Sequence, residues 1–135
     1  DQSHRQDAGA TWHWHPANDP KKSEGRFQLV RRWTGGGVVR HDADWTFSLL
    51  VPAEDEFFRV PPRASYEILH AVLEAALLEH GAKVHLAGPG DCRRSLSCFT
   101  GPSLHDLMTE DGKKICGGAQ RRTKLGMLHQ GSLQG

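Results

Sequence analysis

Two short strings hold the side chains best suited to act on a ligand. The first runs Arg31-Arg32-Trp33-Thr34-Gly35-Gly36-Gly37-Val38-Val39-Arg40-His41-Asp42. Three successive glycines let backbone approach a ligand closely and expose amide N–H groups, a geometry that binds anions or carbonyl oxygens. Arg31 and Arg32, just upstream, suit a phosphate through charge-assisted bidentate bonds. No Gly-Lys-Ser/Thr closes the string, so it does not fit the Walker phosphate loop. The second string runs Asp111-Gly112-Lys113-Lys114-Ile115-Cys116-Gly117-Gly118-Ala119-Gln120-Arg121-Arg122. Here Lys114 offers one compact positive charge beside a tight turn, and the small residues after it leave room for a ligand. Taken singly, the glycine run also fits a plain turn, and the second string also fits a basic hairpin in solvent.

The elements that must position these strings follow from local pattern. Phe27 to Arg31 reads as a short strand. Trp45 to Val51 is β-branched and aromatic and is stopped by Pro52, so it reads as another. After the Pro61-Pro62 linker, Ser65 is a candidate N-cap with Glu67 in the first turn. Ile68, Leu69, Val72, Leu73, Ala76 and Leu77 then recur at helical spacing, and Gly81 ends the helix as a C′ glycine. Lys83 to Leu86 reads as a strand and Ala87 to Arg94 as a loop. Leu107-Met108 and Lys114-Ile115 flank the turn Glu110-Asp111-Gly112, which signals a hairpin. Leu125 to Leu133 reads as a last strand. Short strands with one good helix predict an α+β domain.

Composition narrows the function classes. The 135 residues are 37% hydrophobic and 24% charged, ordinary values for a globular domain. A net charge of +1 argues against nucleic acid or an acidic membrane as the main partner. No apolar run approaches the roughly 20 residues of a spanning helix. The polar N-terminus lacks a signal-peptide core, so a cytoplasmic setting is the default expectation. Three cysteines, Cys92, Cys98 and Cys116, do not form a disulfide framework or a zinc spacing. The alternation Trp12-His13-Trp14-His15 brings two histidines to one strand face, but two ligands do not make a metal site, and none is expected. Residues 1–25 read as a flexible lead-in, and both ends of the chain look cut.

Together, the two strings resemble the biotin and lipoate protein ligase and octanoyltransferase superfamily. Its lipoate branch carries Arg-x-x-Gly-Gly-Gly-x-Val-x-His-Asp, then Gly-x-Lys-Ile/Val-x-Gly-x-Ala, then a His-Gly-Ser/Thr strand. This chain offers Arg32 to Asp42, Gly112 to Ala119, and His129-Gln130-Gly131-Ser132 in that order. The resemblance spans roughly Gln28 to Leu133. It implies a mixed, largely antiparallel sheet packed with helices, forming a single, incomplete catalytic domain over residues 1–135. It places Arg32, Gly35, Gly36, Gly37, Val38 and His41 in the acyl and adenylate pocket. Lys114 falls on the family's essential lysine, which would hold the acyl carbonyl or adenylate phosphate. Gly117, Gly118 and Ala119 would form the wall beside it, and His129 and Gly131 would complete the site. Gln130 stands where the family often has its histidine, so alternation would turn His129 to the other face if the register is kept.

The resemblance also implies the chemistry. Ser97-Cys98-Phe99-Thr100-Gly101-Pro102-Ser103 resembles the Cys-Phe-x-x-Pro-Ser loop of a transferase branch, which makes Cys98 the implied nucleophile. Lys114 would lower its pKa, Asp106 would help position the loop, and Cys116 and Cys92 would be packing and incidental. In that reading Cys98 takes an octanoyl group from octanoyl-carrier protein and passes it to a lysine of a lipoyl-domain protein. The alternative is a ligase that uses lipoate, ATP and Mg through lipoyl-adenylate. Neither holds a covalent cofactor. A third reading, from another class, is a non-catalytic fragment that binds lipoyl domains.

Overall fold

The computed structural model describes residues 30–92 and 101–134. The strand expected over 27–31 falls mostly outside them, and Val30 and Arg31 are not in a strand. The lead-in, the Trp12–His15 patch and Cys98 also lie outside the described residues. A compact unit begins at Arg32. Its elements are β1 (Trp45–Pro52), a short 3-10 helix (Glu56–Arg59), α1 (Pro62–Glu79), β2 (Val84–Leu86), β3 (Leu107–Thr109), β4 (Lys114–Thr123) and β5 (Gly126–Leu133).

The five strands among the described residues join one sheet in the order β1-β5-β4-β3-β2, and every neighbouring pair is antiparallel. With α1 against one face, the architecture is α+β, as the short-strand pattern predicts. Two turns set the hairpins. Gly112, at φ 81°, supplies the left-handed residue between β3 and β4. Gly126, at φ 144°, opens β5 where a side chain would strike the Val51 carbonyl. β1 runs through Pro52, one residue past the expected stop; among the described residues it is the sheet's edge strand, where a proline breaks no central ladder.

The helix starts earlier than its Ser65 suggests. Pro61 is the N-cap and Pro62 the first helical residue, where the missing N–H is one the helix would not use anyway. Ser65 is instead buried. Its hydroxyl lies 3.0 Å from the Pro62 carbonyl and 3.2 Å from Gln120 Oε1, and accepts from Arg122 Nη2 at 2.8 Å. The serine docks α1 onto β4 rather than capping it. The far end follows the sequence expectation. Ala82 N–H bonds the Leu77 carbonyl and Gly81 N–H bonds the Leu78 carbonyl, with Gly81 at φ 82°, a Schellman ending.

The period-2 alternation of the strands separates two sheet faces. Phe47 and Val51, Met127 and His129, and Cys116, Gly118, Gln120 and Arg122 turn toward α1. The core on this side includes Val51, Leu107, Cys116 and Met127. Thr46, Ser48 and Leu50, Leu128, Gln130 and Ser132, and Gly117, Ala119 and Arg121 turn to the opposite face. That second face receives the segment that leads into β1.

Candidate active site

Lys114 begins β4, and its side chain would be expected to follow Cys116 and Gly118 toward α1. A β-bulge changes this. Leu107 pairs with Cys116 while Met108 pairs with Lys114, so Ile115 is an extra residue opposite the β3 ladder. The slip turns Lys114 to the face opposite α1, the face of Gly117 and Ala119. A side-chain carbon built on Gly117 would stand 2.6 Å from Lys114 Cε and 2.7 Å from its Nζ. Glycine at 117 is therefore what gives the lysine its place.

The ammonium is held by Asp106. Lys114 Nζ lies 2.7 Å from Asp106 Oδ2, with side-chain exposures of 7% and 1%. A buried ion pair needs its remaining lone pairs satisfied to offset lost solvation, and here they are. Ser103 N–H donates to Asp106 Oδ2 at 2.6 Å, and the Tyr66 hydroxyl donates to Oδ1 at 2.6 Å. Tyr66 reaches this point from α1. Its oxygen also accepts the Gly118 N–H at 2.9 Å, on the β4 edge that β3 leaves unpaired. Burial, with the Asp106 charge adding to it, pushes the Tyr66 phenol far above its usual range and keeps it protonated.

The glycine string crosses the same face and is fastened to β5 at both ends. Thr34, which is buried, donates its hydroxyl to Gln130 Oε1 at 3.1 Å. Asp44 accepts the Ser132 hydroxyl. Gln130 and Ser132 are two apart on one strand, so both staples sit on one face, opposite Ala119 and Gly117 of β4. His41 Nδ1 lies 2.6 Å from Asp44 Oδ2. Burial raises the Asp44 pKa, but the Ser132 and His41 contacts outweigh it and leave the carboxyl below its usual value. Arg32 Nη2 donates to the Gly37 carbonyl at 3.1 Å and closes the glycine turn on itself. Gly36 takes φ 107°, which only glycine adopts readily. Gly35, Gly36, Gly37 and Val38 are exposed.

Farther along this face, a cavity of about 460 Å³ opens beside Trp33. Leu50, Pro52, Leu125 and Leu128 give it apolar walls, and Arg121 lies at its edge. Arg121 also donates to the Trp33 carbonyl at 3.2 Å, so the start of the glycine string forms one wall. Ala119 and Gly117 follow Arg121 on the same strand face toward Lys114. The span from Arg121 to Gly117 is about 13 Å at strand rise.

The remaining expected residues are placed elsewhere. His129 is fully buried on the α1 side, stacked on Phe47 at 5.7 Å between centroids and 5.5 Å from both Tyr66 and His70. Gly118 also turns that way, and a side chain there would meet the His129 ring at 2.8 Å. Gly131 lies over Phe47, with no room for a side chain. Cys116 is buried, and desolvation first, then the Asp106 charge, push its thiol up to about 12. Cys92 is exposed. Among the described residues, no cluster of three or more His, Cys, Asp or Glu could hold a metal ion, and no helix is long and apolar enough to cross a membrane. Sequence reasoning passed over Tyr66, Thr34, Asp44 and Ser132. Thr34 and Ser132 stand inside the quoted motifs without a role assigned to them, and Tyr66, the chain's one tyrosine, sits beside the apolar stripe of α1.

Comparison with known proteins points the same way. The model of the lipoyl protein ligase A/B catalytic domain matches residues 10–134. The chain is 36% identical over 107 residues to an octanoyltransferase LipM of Oceanobacillus iheyensis, covering 78% of this chain and 39% of the relative. Against an octanoyltransferase LipM of Staphylococcus aureus it is 34% identical over 121 residues, 84% of this chain and 44% of the relative. Against that of Bacillus subtilis it is 31% identical over 113 residues, 78% and 40%. The chain thus spans about two-fifths of the length of these curated relatives. No solved structure matches it. With the glycine string and Lys114 on one sheet face, and a family match over nearly the whole sequence, the chain belongs to the lipoyl protein ligase A/B catalytic-domain family.

Proposed function

We propose that this chain supplies the lysine-bearing part of a cytoplasmic octanoyltransferase, which moves an octanoyl group from octanoyl-carrier protein to a lysine of a lipoyl-domain protein. One observation carries the reading above the others. Lys114 is a nearly sealed ammonium, paired with Asp106 and set against Gly117, on the sheet face that the glycine string crosses. A fixed cation in a water-poor site is suited to an oxygen on which charge develops. The similarity to octanoyltransferases favours transfer over ATP-dependent ligation.

Two acyl transfers make up the reaction. The Cys98 thiolate attacks the thioester carbonyl, the new C–S bond forms, and the carrier's thiolate leaves and takes a proton. The acceptor amine then attacks the Cys98 thioester. A C–N bond forms, the Cys98 sulfur leaves, and the amine's extra proton passes to it. In both steps Lys114 donates a hydrogen bond to the oxygen of the tetrahedral intermediate. The glycine string's backbone, with Arg32 shaping the turn, flanks the acyl group. The apolar cavity beside Trp33 offers room for the tail. Cys116 is a poor rival nucleophile, because its thiol stays protonated at neutral pH.

Intact mass after incubation with octanoyl-carrier protein, without ATP, tests this reading. An octanoyl adduct on Cys98 that hydroxylamine removes supports it. Modification of the lipoyl domain only with free acid, ATP and magnesium would establish the ligase instead. Binding of the lipoyl domain with neither chemistry would leave a binding fragment.

A further inference from the structure

The Asp106 carboxylate is more elaborately held than an ion pair requires. It takes three donors from three separate segments: Lys114 on β4, Ser103 in the loop before β3, and Tyr66 on α1. The direction of the tyrosine bond is fixed by elimination. Gly118 N–H donates to the phenol oxygen at 2.9 Å, so the phenol proton must point elsewhere. Asp106 Oδ1 at 2.6 Å is a far better acceptor than the Gly118 carbonyl at 3.4 Å. The chain of donors therefore runs one way, from the β4 backbone through Tyr66 to Asp106, and meets the lysine there. The tyrosine ring cannot drift, since it packs 4.0 Å from His70 and 5.5 Å from His129. Asp106 N–H returns to the Ser103 carbonyl at 3.1 Å, so the same residue fixes the segment that follows the Cys98 loop in sequence.

We infer that Tyr66 and Asp106 are positioning residues for Lys114: Tyr66 locks the carboxylate that aims the ammonium across Gly117. The catalytic part of this inference rests on the acyl-transfer reading, whereas the positioning itself does not. Without the phenol, Asp106 loses one of three anchors and can rotate, and Lys114 rotates with it. A misplacement of about 1 Å can cost on the order of a hundredfold in rate.

Two readouts on the full chain separate these parts. Brief acetic anhydride labelling, read by peptide mass, gives the reactivity of Lys114 relative to exposed Lys113. We expect Tyr66→Phe and Asp106→Asn each to raise that ratio at least fivefold. Ser65→Ala, which loosens the same helix against Gln120 and Arg122 but not against Asp106, should leave it within twofold. The second readout is octanoyl transfer, where Tyr66→Phe should lower kcat at least tenfold with KM within twofold. A labelling ratio in Tyr66→Phe within twofold of the parent, or an equal rise in Ser65→Ala, overturns the positioning role. If labelling behaves as expected but the parent chain transfers no octanoyl group, the positioning stands and the proposed function fails. If the parent transfers octanoyl and Tyr66→Phe keeps its kcat, the catalytic part of the inference fails.

Discussion

A methyl group on Gly117 would stand 2.7 Å from the ammonium nitrogen of Lys114. Lysine is flexible and could yield, but only by leaving Asp106. Gly117→Ala should therefore act on chemistry and on folding together. We expect acyl transfer to fall roughly a hundredfold and the displaced buried pair to cost about 3 kcal/mol of unfolding free energy. Paired kinetics and denaturant titration check this.

Gly131 should affect folding without touching the chemistry. Its missing side chain faces the Phe47 ring, which His129 and the β5 backbone hold in place. Gly131→Ala should cost about 1–3 kcal/mol of stability by overpacking. The activity of the fraction that remains folded should be nearly unchanged. A urea midpoint with parallel kinetics at low temperature separates the two terms.

The buried imidazoles set an acid limit on the fold. His70 and His129 are fully buried, and neither His129 ring nitrogen finds a hydrogen-bond partner among the described residues. Burial, mainly, holds both pKa values down to about 4, from 6.5. The unfolded chain therefore binds more protons than the native one between about pH 6.5 and 4. Stability should be fully present above that window and fall as pH drops through it, by on the order of 2–3 kcal/mol per ring. Urea unfolding at pH 7.5 and 4.5 measures the loss, and His129→Phe should reduce it by about half.

The two staples of the glycine string predict a binding defect. Asp44→Ala removes the acceptor of the Ser132 hydroxyl and of His41 together. The string should then lift from β5, raising KM for the acyl donor roughly three- to tenfold, for a loss of about 1 kcal/mol. Ser132→Ala should reproduce much of this, and the double variant should be less than additive because both residues share one bond.

What was legible in the sequence followed chain locality. Gly81, Gly112 and the last strand announce themselves through residues a few positions apart, and the structure keeps all three. Ser65 misled because an N-cap signal and a proline at the first helical position compete, and the proline won. The bulge at Ile115 has no local signature, since it arises from how β3 and β4 pair; without it the face of Lys114 is misread. The contacts that assemble the site are remote: Thr34 meets Gln130 across 96 positions, Asp44 meets Ser132 across 88, and Tyr66 meets Asp106 across 40. Motif order could mark the glycine string and the lysine, but not the residues that bring them together.

The most direct test of the account is the rate of octanoyl adduct formation in Lys114→Met, compared with the parent chain, under identical carrier-protein concentrations and without ATP. The variant should keep its circular dichroism and lose the adduct rate by roughly 10²–10³-fold, the scale of losing one oxyanion donor. A folded Lys114→Met chain that acylates at the parent's rate would contradict the claim that this ammonium stabilises the reacting carbonyl.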